Sequence, residues 1–410
     1  MKIAAALLFA TAALVLCLAP LTHAAVARKP MVKEVRVERL PAPILSLDAA
    51  QASDLAVAAL SDGRVRVWHL DTGEILRDFA FKAPETDQRQ KDEGEVEPIR
   101  VRFAPGGKIL GVSYLSLIHL YDSQTWSELK TLGVEGEDVM RPLPPPQLSQ
   151  RPPVEKQPDD INTGTRKWVQ RKMLGDGRTR ISDFAFTPAG TAIVASYCRT
   201  SCYDNPGGVR WTISKGHEPV RMWELATRRM LWEHYSDSNQ TTERIVPSPD
   251  GRLFVEVVFQ PGQWLLQLRD LATGQRSCSI TLFPFPHDAP DIAFTSGSQY
   301  FISLWGERHR SWQMAAYDPS NGRILAEFTD RAGSSRLALS PDDRWLAVVT
   351  WRGIAFKLWD IEKHKIVLTE VPRLLGLYVP KLDGILVANG HRIVASDPMK
   401  GIVFTYDLTD

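Results

Sequence analysis

The chain has 410 residues, 44% hydrophobic and 24% charged, with 49 Lys and Arg against 48 Asp and Glu. This is ordinary globular composition, and a net charge of +1 offers no basic field for nucleic acid and no acidic tail. Four cysteines are too few for a disulfide scaffold, whereas 27 Gly, 28 Pro and 12 Trp describe a chain rich in turns.

Residues 1–27 open on Met1-Lys2, run apolar from Ile3 to Leu21, and end in Thr22-His23-Ala24 and Ala25-Val26-Ala27. That layout predicts a secretory signal peptide cleaved near Ala24 or Ala27 and a periplasmic or secreted mature chain. An uncleaved anchor is the competing reading, since roughly 20 apolar residues span a bilayer. The Ala-rich run and Pro20 argue against it. Bulky Leu16 before Cys17 does not fit a lipoprotein signal, and no membrane span is expected in the mature chain. In an oxidising compartment a close cysteine pair can be oxidised. Cys198 and Cys202, in a Gly/Pro-rich stretch, are therefore a candidate loop disulfide, with Cys278 left unpaired in a strand.

Past this segment the chain repeats. An alternating strand ends in an aromatic residue, and a polar turn follows, as in Val65-Arg66-Val67-Trp68-His69-Leu70-Asp71-Thr72-Gly73. The same shape recurs six more times, centred on Tyr121, Trp223, Arg269, Tyr317, Trp359 and Tyr406. All six later copies carry an acidic residue next; Trp68-His69 departs. From Arg269 onward the copies are 42 to 48 residues apart, the period of a four-stranded propeller blade.

A second marker lies upstream. Pro105-Gly106-Gly107, Pro188-Ala189-Gly190, Ser248-Pro249-Asp250-Gly251, Thr295-Ser296-Gly297-Ser298, Ser340-Pro341-Asp342-Asp343 and Leu382-Asp383-Gly384 each separate two short apolar runs. Pro pre-sets φ and Gly supplies positive φ, so these predict tight hairpin turns. Each repeat then consists of strand a, tight turn, strand b, variable loop, strand c with the aromatic–acidic pair, tight turn and strand d.

These motifs resemble WD40-like β-propellers and the Ser-Pro-Asp-Gly-marked propeller repeats of bacterial periplasmic proteins. The resemblance covers residues 31–410 and implies an all-β, seven-bladed propeller of four-stranded antiparallel blades. The expected blades are 44–80, 99–132, 181–235, 242–282, 291–328, 335–371 and 373–410, the last closed by residues 32–40, with a Pro-rich insertion at 133–180. Arg392–Ser396 could shift the last blade by one strand. No blade opens on the Gly-His dipeptide that begins many WD40 repeats, and Asp62 alone is placed for the family's turn network. Apolar packing between sheets is therefore expected to hold the blades together.

The a–b and c–d turns, which share one end of the ring, are short throughout. The long connections, 82–98, 133–180, 198–219, 283–290 and 305–312, are all b–c or d–a loops. Insertions of repeat proteins tend to collect on the binding face, so that end is the expected working face. Trp168, Trp211, Trp264, Trp305, Trp312 and Trp351, with Arg308 and Arg352, are its candidate contacts, because Trp and Arg dominate interface hot spots. The competing role for any of these indoles is loop packing. Trp68, Trp223 and Trp359, at the blade signature, are expected in the core.

No G-x-S-x-G, P-loop, H-E-x-x-H or G-x-G-x-x-G occurs, and the nine histidines show no zinc-ligand spacing. No catalytic residue, metal or cofactor is assigned. The leading expectation is an exported, non-catalytic scaffold for a protein or peptide partner. Its alternative is a periplasmic propeller enzyme, a hydrolase or a cofactor-dependent oxidoreductase, with converging charged residues at the channel mouth.

Overall fold

Successive side chains of strand c go to opposite faces of the blade: Val65 and Val67 pack toward the second blade, and Trp68 packs toward the seventh. The computed structural model describes residues 31–50, 53–81, 99–133, 179–204, 210–214, 219–237, 240–282, 289–306, 312–330, 334–350, 356–361, 365–370, 383–387, 392–397 and 400–409. Among them there is no helix, and the strands form seven antiparallel sheets in a propeller. Six blades, here numbered in chain order, comprise residues 44–80, 100–133, 179–235, 241–281, 291–330 and 334–370. Blade 7 is built of Asp383–Val387, Arg392–Asp397 and Ile402–Thr409, and Met31–Arg39 pairs along Ile402–Thr409 as the fourth strand.

The last blade corrects one expectation. Leu382-Asp383-Gly384 does not mark an a–b turn, because Asp383–Val387 is itself the first strand. The next described strand begins at Arg392, and residues 388–391 lie outside the described residues. The other a–b markers behave as turn chemistry requires. In blade 4, Ser248 Oγ donates to Asp250 (2.6 Å) and accepts from Leu253 N (3.1 Å), while Gly251 takes φ 71°. Ser340 and Asp342 repeat the pair at 2.5 Å in blade 6.

Every blade carries the same irregularity. Opposite the signature residue, strand d holds one extra residue: Trp68 faces Ile75, whereas its neighbour Val67 faces Arg77. The same bulge accompanies Tyr121, Trp223, Arg269, Tyr317 and Trp359. It also accompanies Tyr406, opposite the N-terminal strand at residues 34–36. A bulge re-aims the residues around it. In four blades the residue just past it reaches the c–d turn of the next blade. Arg36 Nη2 donates to the Asp71 carbonyl (2.8 Å), and Lys130 Nζ to those of Leu225 and Ala226 (2.8 Å each). Trp232 Nε1 donates to the Leu271 carbonyl (2.9 Å), and Cys278 Sγ to that of Asn321 (3.4 Å).

Six apolar clusters fill the gaps between consecutive blades from 7–1 round to 5–6. Trp68, Tyr121, Trp223 and Tyr317 are buried in them, and Trp359 is partly buried, so the signature aromatics are core as expected. In the 3–4 gap the Trp232 ring lies parallel to Phe254, with centroids 5.8 Å apart. The opposing wall is Gly274, at φ 71°, where a Cβ would come within 2.9 Å of the indole. Gly274→Ala combines backbone strain with overpacking and is expected to lower stability by about 2 kcal/mol. A urea denaturation midpoint checks this, and an unchanged midpoint contradicts the tight seat.

Candidate interaction face and channel wall

Both ends of the ring are defined by its connections. Described a–b and c–d turns are tight in every blade where they occur. The longer gaps, 81–99, 134–178, 282–290 and 371–382, join strand d of one blade to strand a of the next. The one described extension, a β-hairpin of Thr200–Asp204 against Arg210–Ser214, grows from the b–c connection of blade 3. The insertions therefore share one end.

That hairpin corrects the expected loop at 198–219. Strand b of blade 3 runs unbroken from Ala192 to Asp204 through both Cys198 and Cys202. Four extended residues span about 13 Å, whereas a disulfide needs Cα atoms roughly 4.4–6.8 Å apart. The extended strand does not fit a Cys198–Cys202 bridge. Thr200 and Tyr203 favour strand here, and Asn205-Pro206-Gly207-Gly208, between the two strands in sequence, lies outside the described residues.

The predicted contact residues separate. Trp264, at the start of strand c in blade 4, is 6% exposed and packs against Phe259 with centroids 5.1 Å apart. Trp305, at the end of strand b in blade 5, is 5% exposed and belongs to the same cluster. Both indoles are buried between blades 4 and 5, the packing role that competed with their listing as candidate contacts. Trp211 and Trp312 lie in strands at the insertion-bearing end, but their side chains are outside the described set. Trp168, Arg308, Trp351 and Arg352 are outside the described residues, as are the expected signal peptide and the 134–178 insertion.

The first strands of neighbouring blades contact one another and form the channel wall. Sequence reasoning missed what they carry. Asp48 Oδ2 accepts from Phe103 N of blade 2 (2.6 Å) and Asp183 Oδ2 from Ile245 N of blade 4 (3.0 Å). Asp291 Oδ2 accepts from Leu337 N of blade 6 (2.7 Å). Arg102 pairs with Asp183 across blades 2 and 3 (3.4 Å), and Arg244 pairs with Asp291 across blades 4 and 5. Asp in strand a of blades 1, 3 and 5, with Arg in that of blades 2 and 4, was a legible signal.

Glu243, beside Arg244, is exposed to solvent, yet desolvation raises its carboxyl above the usual range, with Asp183 adding to the rise and Arg100 and Arg244 opposing it. An exposed group enclosed by protein is what a channel lining produces. Arg100 lies along the same wall, donating weakly to the Ser182 (3.3 Å) and Leu45 (3.4 Å) carbonyls. Asp62, by contrast, binds Arg64 of its own turn.

A chain of the crystal structure of a mitotic checkpoint complex is similar, with a TM-score of 0.62, 12% identity and coverage of 96% of this chain and 97% of that one. At that identity the likeness is one of fold. No protein-family model and no curated protein matches the chain. Strand pairing and repeat together define a seven-bladed β-propeller.

Proposed function

We propose that this protein is a non-catalytic scaffold that holds a protein or peptide partner on its insertion-bearing end. The observation that carries the reading is the asymmetry of the ring. Tight, internally bonded turns close one end, and the hairpin and long d–a connections decorate the other. Loops on a rigid frame are the usual seat of recognition. The propeller likeness to a chain from a multiprotein complex points the same way. Our reading further takes the scaffold as exported, on the signal-peptide layout of residues 1–27, and as of the bacterial periplasmic repeat type, on its Ser-Pro-Asp-Gly turns; cell fractionation and N-terminal sequencing of the mature chain check the export.

The test compares partners captured by the intact protein with those captured after residues 200–214 are replaced by a two-residue turn. We expect one specific partner to be lost while the far-ultraviolet β signal stays. A partner set unchanged by that deletion, and by removal of 134–178, would contradict the reading. The enzyme alternative draws on one observation, the solvent-reachable Glu243 among Arg100, Asp183 and Arg244 on the channel wall. Against it, Asp183 and Asp291 are already engaged in holding blades together.

A further inference from the structure

One layer of the channel wall alternates in charge. Three residues before the strand c signature, the ladder leads across strand b to one residue of strand a in every blade. Around blades 2 to 7 that residue is Arg100, Asp183, Arg244, Asp291, Arg336 and Asp383 in turn. Blade 1 has Ser46 there. Arg244 pairs with Asp291. Arg100 is left over: Asp183, its neighbour on one side, is engaged by Arg102 (3.4 Å), and Ser46, on the other, carries no charge.

The residue just before this layer is a bulge against strand b in four blades, at Leu45, Ser182, Glu243 and Ser335. Bulges re-aim side chains, and of these four only Glu243 carries a charge. It is exposed although strand a is the innermost strand, so it meets the lumen near the insertion-bearing end, where strand a begins. Arg100 reaches the same level through the Ser182 and Leu45 carbonyls. Ser182 Oγ donates in turn to the Thr242 carbonyl next to Glu243 (2.8 Å). Guanidinium and carboxyl thus flank Ser182 from blades 2 and 4. Among the described residues Glu243 makes no hydrogen bond or ion pair, and the Arg100 side chain donates only to those two carbonyls.

We propose that the channel binds a compact zwitterion of the amino-acid type, its carboxylate on Arg100 and its ammonium on Glu243. The wall offers two opposite charges, each without a counter-charge of its own and too far apart to pair with one another. A lone anion drawn to Arg100 would be repelled by Glu243, and a lone cation would meet the reverse. A ligand with both charges close together satisfies both groups through charge-assisted hydrogen bonds. Desolvation already raises the Glu243 carboxyl, with Arg100 the largest charge opposing the rise, so an ammonium beside it relieves a cost the empty channel carries. The site needs no polypeptide on the loops and stands apart from the scaffold reading above.

The test uses the full chain, with no partner protein, and three probes titrated by saturation-transfer NMR: L-alanine, L-alanine amide with the ammonium alone, and N-acetyl-L-alanine with the carboxylate alone. We expect alanine to bind and each analogue to bind about ten-fold more weakly, for want of one charged hydrogen bond. Glu243→Gln should erase the margin over N-acetylalanine and keep that over the amide. Arg100→Gln should do the opposite. A variant that merely loosened the ring would lower all three affinities together, so the crossed pattern is the signature. Should Arg100→Gln fail to fold, Glu243→Gln decides alone, because that side chain has no contact to lose. No binding of alanine by wild type overturns the proposal. So does an analogue that binds as well as alanine, or a margin over N-acetylalanine that survives Glu243→Gln.

Discussion

Glu256→Ala and Arg269→Ala should each destabilise the protein by about 3–5 kcal/mol, whereas Glu256→Ala combined with Arg269→Tyr should leave it as stable as wild type or more so. Arg269 stands where the other six blades carry Trp or Tyr, facing the 3–4 gap. Glu256 stands where the second strands of the other blades carry Ala, Val or Ser. Arg269 Nε donates to Glu256 Oε2 at 2.5 Å, and the carboxylate is 1% exposed. Thr242 Oγ1 donates to its other oxygen, and His234 Nε2 of blade 3 lies 3.4 Å away. From Arg269 Nη2 the chain of bonds runs on through Gln267 (2.8 Å), Gln240 (3.3 Å) and Gln260 (3.0 Å). Removing either charge strands the other in a dry gap. Removing both and restoring the small–aromatic pair of the other blades returns the gap to apolar packing. Urea midpoints of wild type, the two single variants and the repacked double variant read out the comparison. A double variant as unstable as the sum of its singles would show that the network itself holds blade 3 to blade 4.

The pH dependence has a definite sign. Burial pushes the Glu256 carboxyl upward, but the His234 hydrogen bond, the Arg269 charge and the Thr242 hydroxyl outweigh it, and the group sits below the usual range. The folded state therefore holds this proton less tightly than the unfolded chain does. Its contribution is complete above the ordinary glutamate value of about 4.3, and is lost as pH falls through the lowered folded value. The wild type should accordingly lose stability relative to the double variant below about pH 4.

How much of this was legible follows from where each signal is encoded. The strand c signature and the Ser-Pro-Asp-Gly turns are local, set by alternation and φ preference, and they placed seven blades on the chain. Strand pairing is not local, so the first strand of blade 7 escaped: Asp383-Gly384 has turn chemistry yet lies in a strand. The extended hairpin at 200–214 was hidden for the same reason. Trp264 and Trp305 sit next to loops in sequence, but a strand end beside a loop can still face the next blade. Burial of these indoles depends on Phe259 and on the facing blade, which composition does not report.

Asp183→Ala should cost about 3 kcal/mol, and Asp183→Asn about half as much. Asp183 is 3% exposed and stands between three blades. Its Oδ2 takes the Ile245 amide of blade 4, and its Oδ1 faces Arg102 of blade 2. Alanine leaves a buried amide unsatisfied, a loss of roughly 1–3 kcal/mol, and also strips Arg102 of its counter-charge. Asparagine keeps an acceptor for Ile245 N–H and gives up the charge alone. The order of the two variants therefore separates the amide from the ion pair, with denaturant midpoints as the readout. Alanine and asparagine equal in cost would assign the whole effect to Arg102. Both neutral would mean that apolar packing alone holds blades 2, 3 and 4, as the sequence first suggested. The same reasoning applies to Asp291, which takes the Leu337 amide of blade 6 and pairs with Arg244 of blade 4. Around a ring, each such carboxylate fixes the angle between two neighbours and so the shape of the channel they enclose.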